Sequence, residues 1–177
     1  NIHNLSYFQS PDANPASLLY ALGNLYLGNY DTHIIRSMTP GGATNCTFQG
    51  VRPHLTFGFD GQSLWSPDYG MRIIRKLHTT NCSQQSGSPY TIFSDTDQSA
   101  DGNQTFAFDG TNMWIAGFYS VVVVNPTTGA IVANYPLGTG GQTAIVFDGR
   151  DMWVGLRNEP TLKRVNVNTG AVLQPIT

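Results

Sequence analysis

A phrase that returns every forty residues or so constrains this chain more than any other feature. Phe57-Gly58-Phe59-Asp60-Gly61 is followed by Trp65, Phe106-Ala107-Phe108-Asp109-Gly110 by Trp114, and Ile145-Val146-Phe147-Asp148-Gly149 by Trp153. A worn first copy, Tyr20-Ala21-Leu22-Gly23, leads to Tyr26. The anchoring glycines Gly23, Gly61, Gly110 and Gly149 lie 38, 49 and 39 residues apart. A second landmark keeps step: Gly41-Gly42-Ala43, Thr128-Gly129-Ala130 and Thr169-Gly170-Ala171 each fall about half a period after their anchor. Two landmarks in register make chance similarity a poor explanation.

Each period reads as four short strands. In the last one, residues 142–147 and 152–155 flank an Asp-Gly turn, and 162–167 and 171–176 flank Asn168-Thr169-Gly170. The third repeats this with 104–108, 113–116, 121–124 and 131–135. Four strands per period predict an all-β chain, a β-propeller of four-stranded antiparallel blades. About four blades are expected within residues 17–177, starting near 17, 54, 104 and 142. Residues 1–16 hold two prolines and no sustained periodicity, which predicts an N-terminal arm or linker, with 4–8 as a candidate extra strand closing a ring.

Composition agrees. Charged residues are 11% of the 177, against roughly 25% in an average globular protein, which excludes coiled coils and charge-driven disorder. One Glu and two Lys among 19 Gly disfavour helix and favour strands joined by tight turns. A net charge of −2 offers no basic face for a phosphate backbone, so nucleic acid is not an expected partner. The longest aliphatic string, Val121 to Val124, is far short of a membrane span. No cofactor-binding motif is present: Gly138-Thr139-Gly140-Gly141 lacks the Lys and the following helix of a phosphate loop and reads as a turn.

The two cysteines share a context, Thr44-Asn45-Cys46-Thr47 and Thr80-Asn81-Cys82-Ser83. Two readings stand: a Cys46–Cys82 disulfide in an exported protein, or two unpaired thiols. A zinc site lacks further ligands at the right spacing. Asn-x-Ser/Thr triplets at Asn4, Asn45, Asn81 and Asn103 are common by chance in a chain rich in Ser, Thr and Asn.

The phrase Phe-Asp-Gly-x-x-Met-Trp-Val/Ile, followed by an aliphatic strand and Asn-x-x-Thr-Gly, resembles the repeats of the YVTN and NHL-type β-propellers. Streptogramin lyase and various secreted and surface-layer bacterial proteins belong to that group. The resemblance covers residues 17–177 and implies the fold, while the group serves many functions. Its members usually carry six or seven blades, so four repeats leave three arrangements: a compact four-bladed ring, a segment of a larger propeller, or two chains that complete one ring.

Each singled-out residue has a structural and a functional reading. Asp60, Asp109 and Asp148 suit their turns, or could ring an axis and bind calcium. Trp65, Trp114 and Trp153 suit packing between blades, or could stack on sugars. The loops joining second to third strands hold Tyr30, Asp31 and His33, then Asp68 and Tyr69, then Phe118 and Tyr119, then Arg157 and Glu159. Aromatics rimmed by polar groups suit a protein or carbohydrate ligand, although the same rings could cap the core. The leading expectation is a non-catalytic secreted or cell-surface propeller acting in recognition or adhesion. One alternative is a structural subunit that self-associates into an extracellular filament or layer. Another is a lactonase- or lyase-type enzyme with Asp31, His33, His54 and Glu159 meeting at the channel mouth.

Overall fold

The protein is described by a computed structural model that covers residues 14–53, 56–68, 71–93, 104–136, 141–157, 160 and 162–176. Sixteen strands form four separate sheets, and no helix occurs among the described residues. The first sheet holds β1 (Pro15–Ala21), β2 (Asn24–Asn29), β3 (Ile34–Met38) and β4 (Thr44–Gln49). The second holds β5 (Gly58–Phe59), β6 (Ser63–Asp68), β7 (Ile73–His78) and β8 (Tyr90–Thr91). The third holds β9 (Thr105–Phe108), β10 (Met113–Ala116), β11 (Ser120–Val124) and β12 (Ile131–Pro136). The fourth holds β13 (Gln142–Phe147), β14 (Asp151–Leu156), β15 (Leu162–Asn166) and β16 (Val172–Ile176). Each is an antiparallel meander in chain order, and the innermost strands β5, β9 and β13 lie side by side around an axis. These are four propeller blades, as the repeat predicts. The candidate strand at 4–8 lies outside the described residues.

Each of the first three blades pairs one face with the next. Trp65 and Ile74 of the second blade pack on Met113, Ile115, Val122 and Val124 of the third. Trp114, Ala116, Val121 and Val123 of the third pack on Met152, Val154, Leu156 and Val165 of the fourth. Tyr26 takes the Trp position between the first and second blades, against Leu64 and Leu77. Because side chains alternate across a strand, a middle strand of an internal blade is buried on both faces, and β10 and β11 are buried at every position. The outer strand β12 is mostly exposed or half-buried. Each large apolar side chain placed in these layers contributes about 1.5–3 kcal/mol.

The Asp-Gly phrase does more than turn the chain. In blades two, three and four one carboxylate oxygen accepts two backbone N–H groups of the turn, at 3.0 and 2.6 Å for Asp60, 2.7 and 2.6 Å for Asp109, and 2.9 and 2.7 Å for Asp148. The other oxygen accepts the indole N–H of Trp65, Trp114 or Trp153, at 2.8, 2.6 and 2.7 Å. The carboxylates therefore cap turns and hold Trp rings, and no group of three potential metal ligands occurs among the described residues. Two of those rings are clamped from the far side. Tyr90 stacks on Trp65 and Tyr135 on Trp114, both at 5.6 Å, and each Tyr lies over a positive-φ glycine of the next blade, Gly129 or Gly170, where a Cβ would overlap its ring.

Cys46 on β4 and Cys82 in the β7–β8 connection form a disulfide with 5.7 Å between Cα atoms, joining the first blade to the second. The sequence left the unpaired reading open; the structure selects the bridge. No helix among the described residues is long and apolar enough to cross a membrane.

Candidate functional site

Meander topology places the four connections from second to third strand at one end of the blades. In the first blade Asn29 Oδ1 accepts both the N–H and the hydroxyl of Thr32 at 2.8 Å, a local turn that carries Tyr30 and Asp31 outward. Tyr30 is 38% exposed, and Asp31 accepts a hydrogen bond from the Asn14 amide. His33 holds a left-handed backbone at φ 57°, and its carbonyl accepts the Gly50 N–H.

In the second blade the geometry differs from the sequence expectation. Asp68 is 5% exposed, and its carboxylate accepts Arg75 Nε at 2.9 Å and the Arg52 N–H at 3.3 Å. The reason is local: Asp68 ends β6, where Arg75 of the neighbouring strand reaches back to it. A carboxylate so occupied serves the sheet. Tyr69 and His54 lie outside the described residues, as does Glu159.

Blades three and four bring their loops together at Gly141. The Gly141 carbonyl accepts the Arg157 N–H at 2.7 Å, and the Phe118 ring lies so close that a Cβ at Gly141 would sit 3.1 Å from it. Phe118 meets Tyr119 edge to face at 4.7 Å, and the Arg157 side chain is exposed. Thus Phe118, Tyr119 and Arg157 form one patch, while Tyr30, Asp31 and His33 form another on the first blade.

Two cavities were not foreseen from sequence. One, of about 370 Å³, lies along the axis and takes Leu18, Thr56, Thr105 and Ala144 from all four blades. It is built by inward alternation of the innermost strands, a period-2 signal too short in each blade to single out. The other, about 440 Å³, lies at the opposite end between the first two blades, lined by Asn24, Tyr26, Asn45 and Thr79 beside the disulfide. There Asn45 donates to Asn24 Oδ1 at 2.8 Å and the Tyr26 hydroxyl to the Thr79 carbonyl at 3.1 Å.

Electrostatics follow the turns. Burial pushes the Asp60 carboxyl up, but hydrogen bonds from Trp65, Ser63 and Gln62 and the charge of Lys76 outweigh it and hold the group below its ordinary value. The Asp151 N–H, the Trp153 indole, the Arg150 N–H and the Arg164 charge lower Asp148 to about 2. A carboxyl depressed in the folded state stabilises above its unfolded pKa, and that contribution is lost as pH falls toward the folded value. Thermal melts are therefore expected to be level above about pH 5 and to fall between about pH 4 and 2. Asp148→Asn should shrink the acid-limb loss; an unchanged acid limb in that variant would count against the linkage.

No family profile matches the chain, and no curated protein matches it. Solved structures do. A streptogramin B lyase shares 14% identity and a TM-score of 0.74 over 96% of this chain and 57% of its own. A catalytically inactive virginiamycin B lyase from Staphylococcus aureus, solved with quinupristin, gives 15% identity and 0.73 over 95% of this chain and 57% of that one. The computationally designed Ika8 protein gives 14% and 0.70 over 90% and 48%. Likeness at this identity shows the fold alone. The chain spans little more than half the length of these lyases.

Proposed function

We propose that this propeller acts by recognition outside the cell, holding a protein or carbohydrate ligand on its loop end without catalysis. The observation that carries the reading is the patch where Phe118, Tyr119 and Arg157 from two blades meet over Gly141. An aromatic pair on one loop and an exposed Arg on the loop of the next blade suit a sugar face or a peptide side chain, because both offer apolar area rimmed by acceptors. The carboxylates support the same reading. Asp60, Asp109 and Asp148 hold turns and indoles, and Asp68 and Asp151 hold Arg75 and Arg164, so each of the five has a structural partner. The disulfide agrees with an oxidising, extracellular setting. The lyases' activity belongs to those proteins, and among the described residues nothing in the geometry favours it over recognition.

The test is a glycan array and a panel of extracellular-matrix proteins, probed with the wild-type chain and with Tyr119→Ala/Arg157→Ala. Retained ligands should lose at least tenfold in affinity in the double variant while its melting temperature holds. Binding that is equal in the two proteins sinks the proposed face.

A further inference from the structure

The contact between the first two blades lacks an anchor that the second blade builds toward the third. In that anchor Asp60, five residues before Trp65, accepts the indole N–H and meets Lys76 Nζ at 3.1 Å. Lys76 is the cross-strand partner of Trp65, lies over its ring and donates at 2.6 Å to the carbonyl of Pro126 in the next blade. In the first blade every member is smaller. Tyr26 stands for the Trp, Ala21 holds the position five residues earlier, and Ser37 is the cross-strand partner.

Tyr26 reaches across by itself, its hydroxyl donating at 3.1 Å to the carbonyl of Thr79. Thr79 follows His78 as Pro126 follows Asn125, and the two turns match: the Cys82 N–H meets the His78 carbonyl at 3.1 Å, and the Gly129 N–H the Asn125 carbonyl at 2.8 Å. Cys82 thus holds the glycine's place, with φ 57°, and is tied to Cys46. The cavity of about 440 Å³ opens at this reduced anchor, with Tyr26 and Thr79 in its wall.

Hydrogen-bonding capacity is left over here. Asn45 Nδ2 donates to Asn24 Oδ1 at 2.8 Å, and Asn24 Nδ2 makes a long bond of 3.3 Å to the Leu22 carbonyl. The Asn45 amide oxygen can still accept, further amide hydrogens can donate, and the Thr80 hydroxyl stands in the wall. Ser37, 0% exposed and set between Tyr26 and Cys46 across the sheet, has an Oγ with no hydrogen-bond partner among the described residues. Buried hydroxyls are rarely left so. Leu22 forms an apolar lip, 60% exposed and held at φ 49°, a left-handed backbone that a side chain of this size seldom adopts.

Among the described residues no charged side chain lines the cavity. Amides and hydroxyls around one apolar lip match a neutral molecule with hydroxyls at its edge and C–H groups on a face, the chemistry of a sugar ring. An ionised ligand would give up hydration with no counter-charge in the wall. We infer that this cavity is a second binding site, for a neutral monosaccharide unit, with Asn24 and Asn45 supplying hydrogen bonds and Leu22 the apolar contact. It lies at the opposite end of the blades from Phe118 and Tyr119, so it stands or falls independently of the recognition patch.

Heteronuclear NMR spectra of the bridged chain test it, titrated with methyl glycosides of glucose, galactose, mannose and N-acetylglucosamine and, as the charged comparison, glucuronic acid. At least one neutral glycoside should shift the Asn24 and Asn45 side-chain amides together with the Thr79 and Thr80 N–H signals, saturating at about 1–10 mM, the range for one ring held by a few neutral hydrogen bonds. Asn24→Ala/Asn45→Ala should weaken that binding by about tenfold or more with an unchanged melting temperature. Tyr119→Ala/Arg157→Ala should leave it as it is. Spectra unmoved by every neutral glycoside, shifts gathered at Phe118 and Tyr119 instead, an equal response to glucuronic acid, or undiminished binding in the Asn24/Asn45 variant would each overturn the inference.

Discussion

Trp114→Ala is expected to lower the free energy of unfolding by about 3–5 kcal/mol, the range for truncating a fully buried large aromatic. The same change at Trp153 should lower it by only about 1–2 kcal/mol when measured on the monomer. The two rings have the same sequence context and the same indole bond to an Asp, at 2.6 and 2.7 Å. They differ in what covers them. Trp114 is 1% exposed, stacked by Tyr135 and roofed by Met152 and Val154 of the next blade. Trp153 has Arg164 over its ring and is half-buried. Guanidinium unfolding at low protein concentration checks both. Equal losses would refute the difference in burial between the two rings.

Removing the disulfide is the other large effect. Cys46→Ser/Cys82→Ser, or reduction of the wild type, should cost about 4 kcal/mol, the chain-entropy value for a bridge separating residues by 36 positions. The bridge ties two blades, so its loss frees one blade relative to the next as well as lengthening the open loop. Cys82 is also 4% exposed and its N–H donates to the His78 carbonyl at 3.1 Å, so a serine there adds a buried hydroxyl to the cost. Denaturant titration with and without reductant measures the difference. A midpoint indifferent to reductant in a protein shown by intact mass to be bridged would refute this account.

How much was legible depends on the range of the interaction. The Asp-Gly-x-x-Trp phrase announces a hairpin because a positive-φ turn and strand alternation are set within a few residues. The third and fourth blades accordingly follow the expected strands closely, down to β13 at Gln142–Phe147 and β10 at Met113–Ala116. The second oxygen of each Asp was not legible. Whether it meets the indole five residues on depends on both rotamers. Asp68 shows the same limit from the other side. By sequence it is a loop carboxylate suited to a ligand, but antiparallel register brings Arg75 against it and occupies it.

The candidate face divides likewise. That Tyr30, Asp31, Phe118, Tyr119 and Arg157 share one end follows from counting strands. That Phe118 and Arg157 meet at Gly141 does not, since it requires two blades to be set at a particular angle.

By itself, then, the sequence determined the repeat, the four-stranded blade and the end on which its loops gather, because periodicity and turn chemistry are local and repeat in register. Tertiary structure alone decided which cysteine reading holds, which carboxylates are already engaged, and which Trp is roofed and which left open. The cysteine and Trp outcomes turn on contacts between blades, where side chains far apart in the chain meet, and the carboxylate outcomes on rotamers and register within a blade.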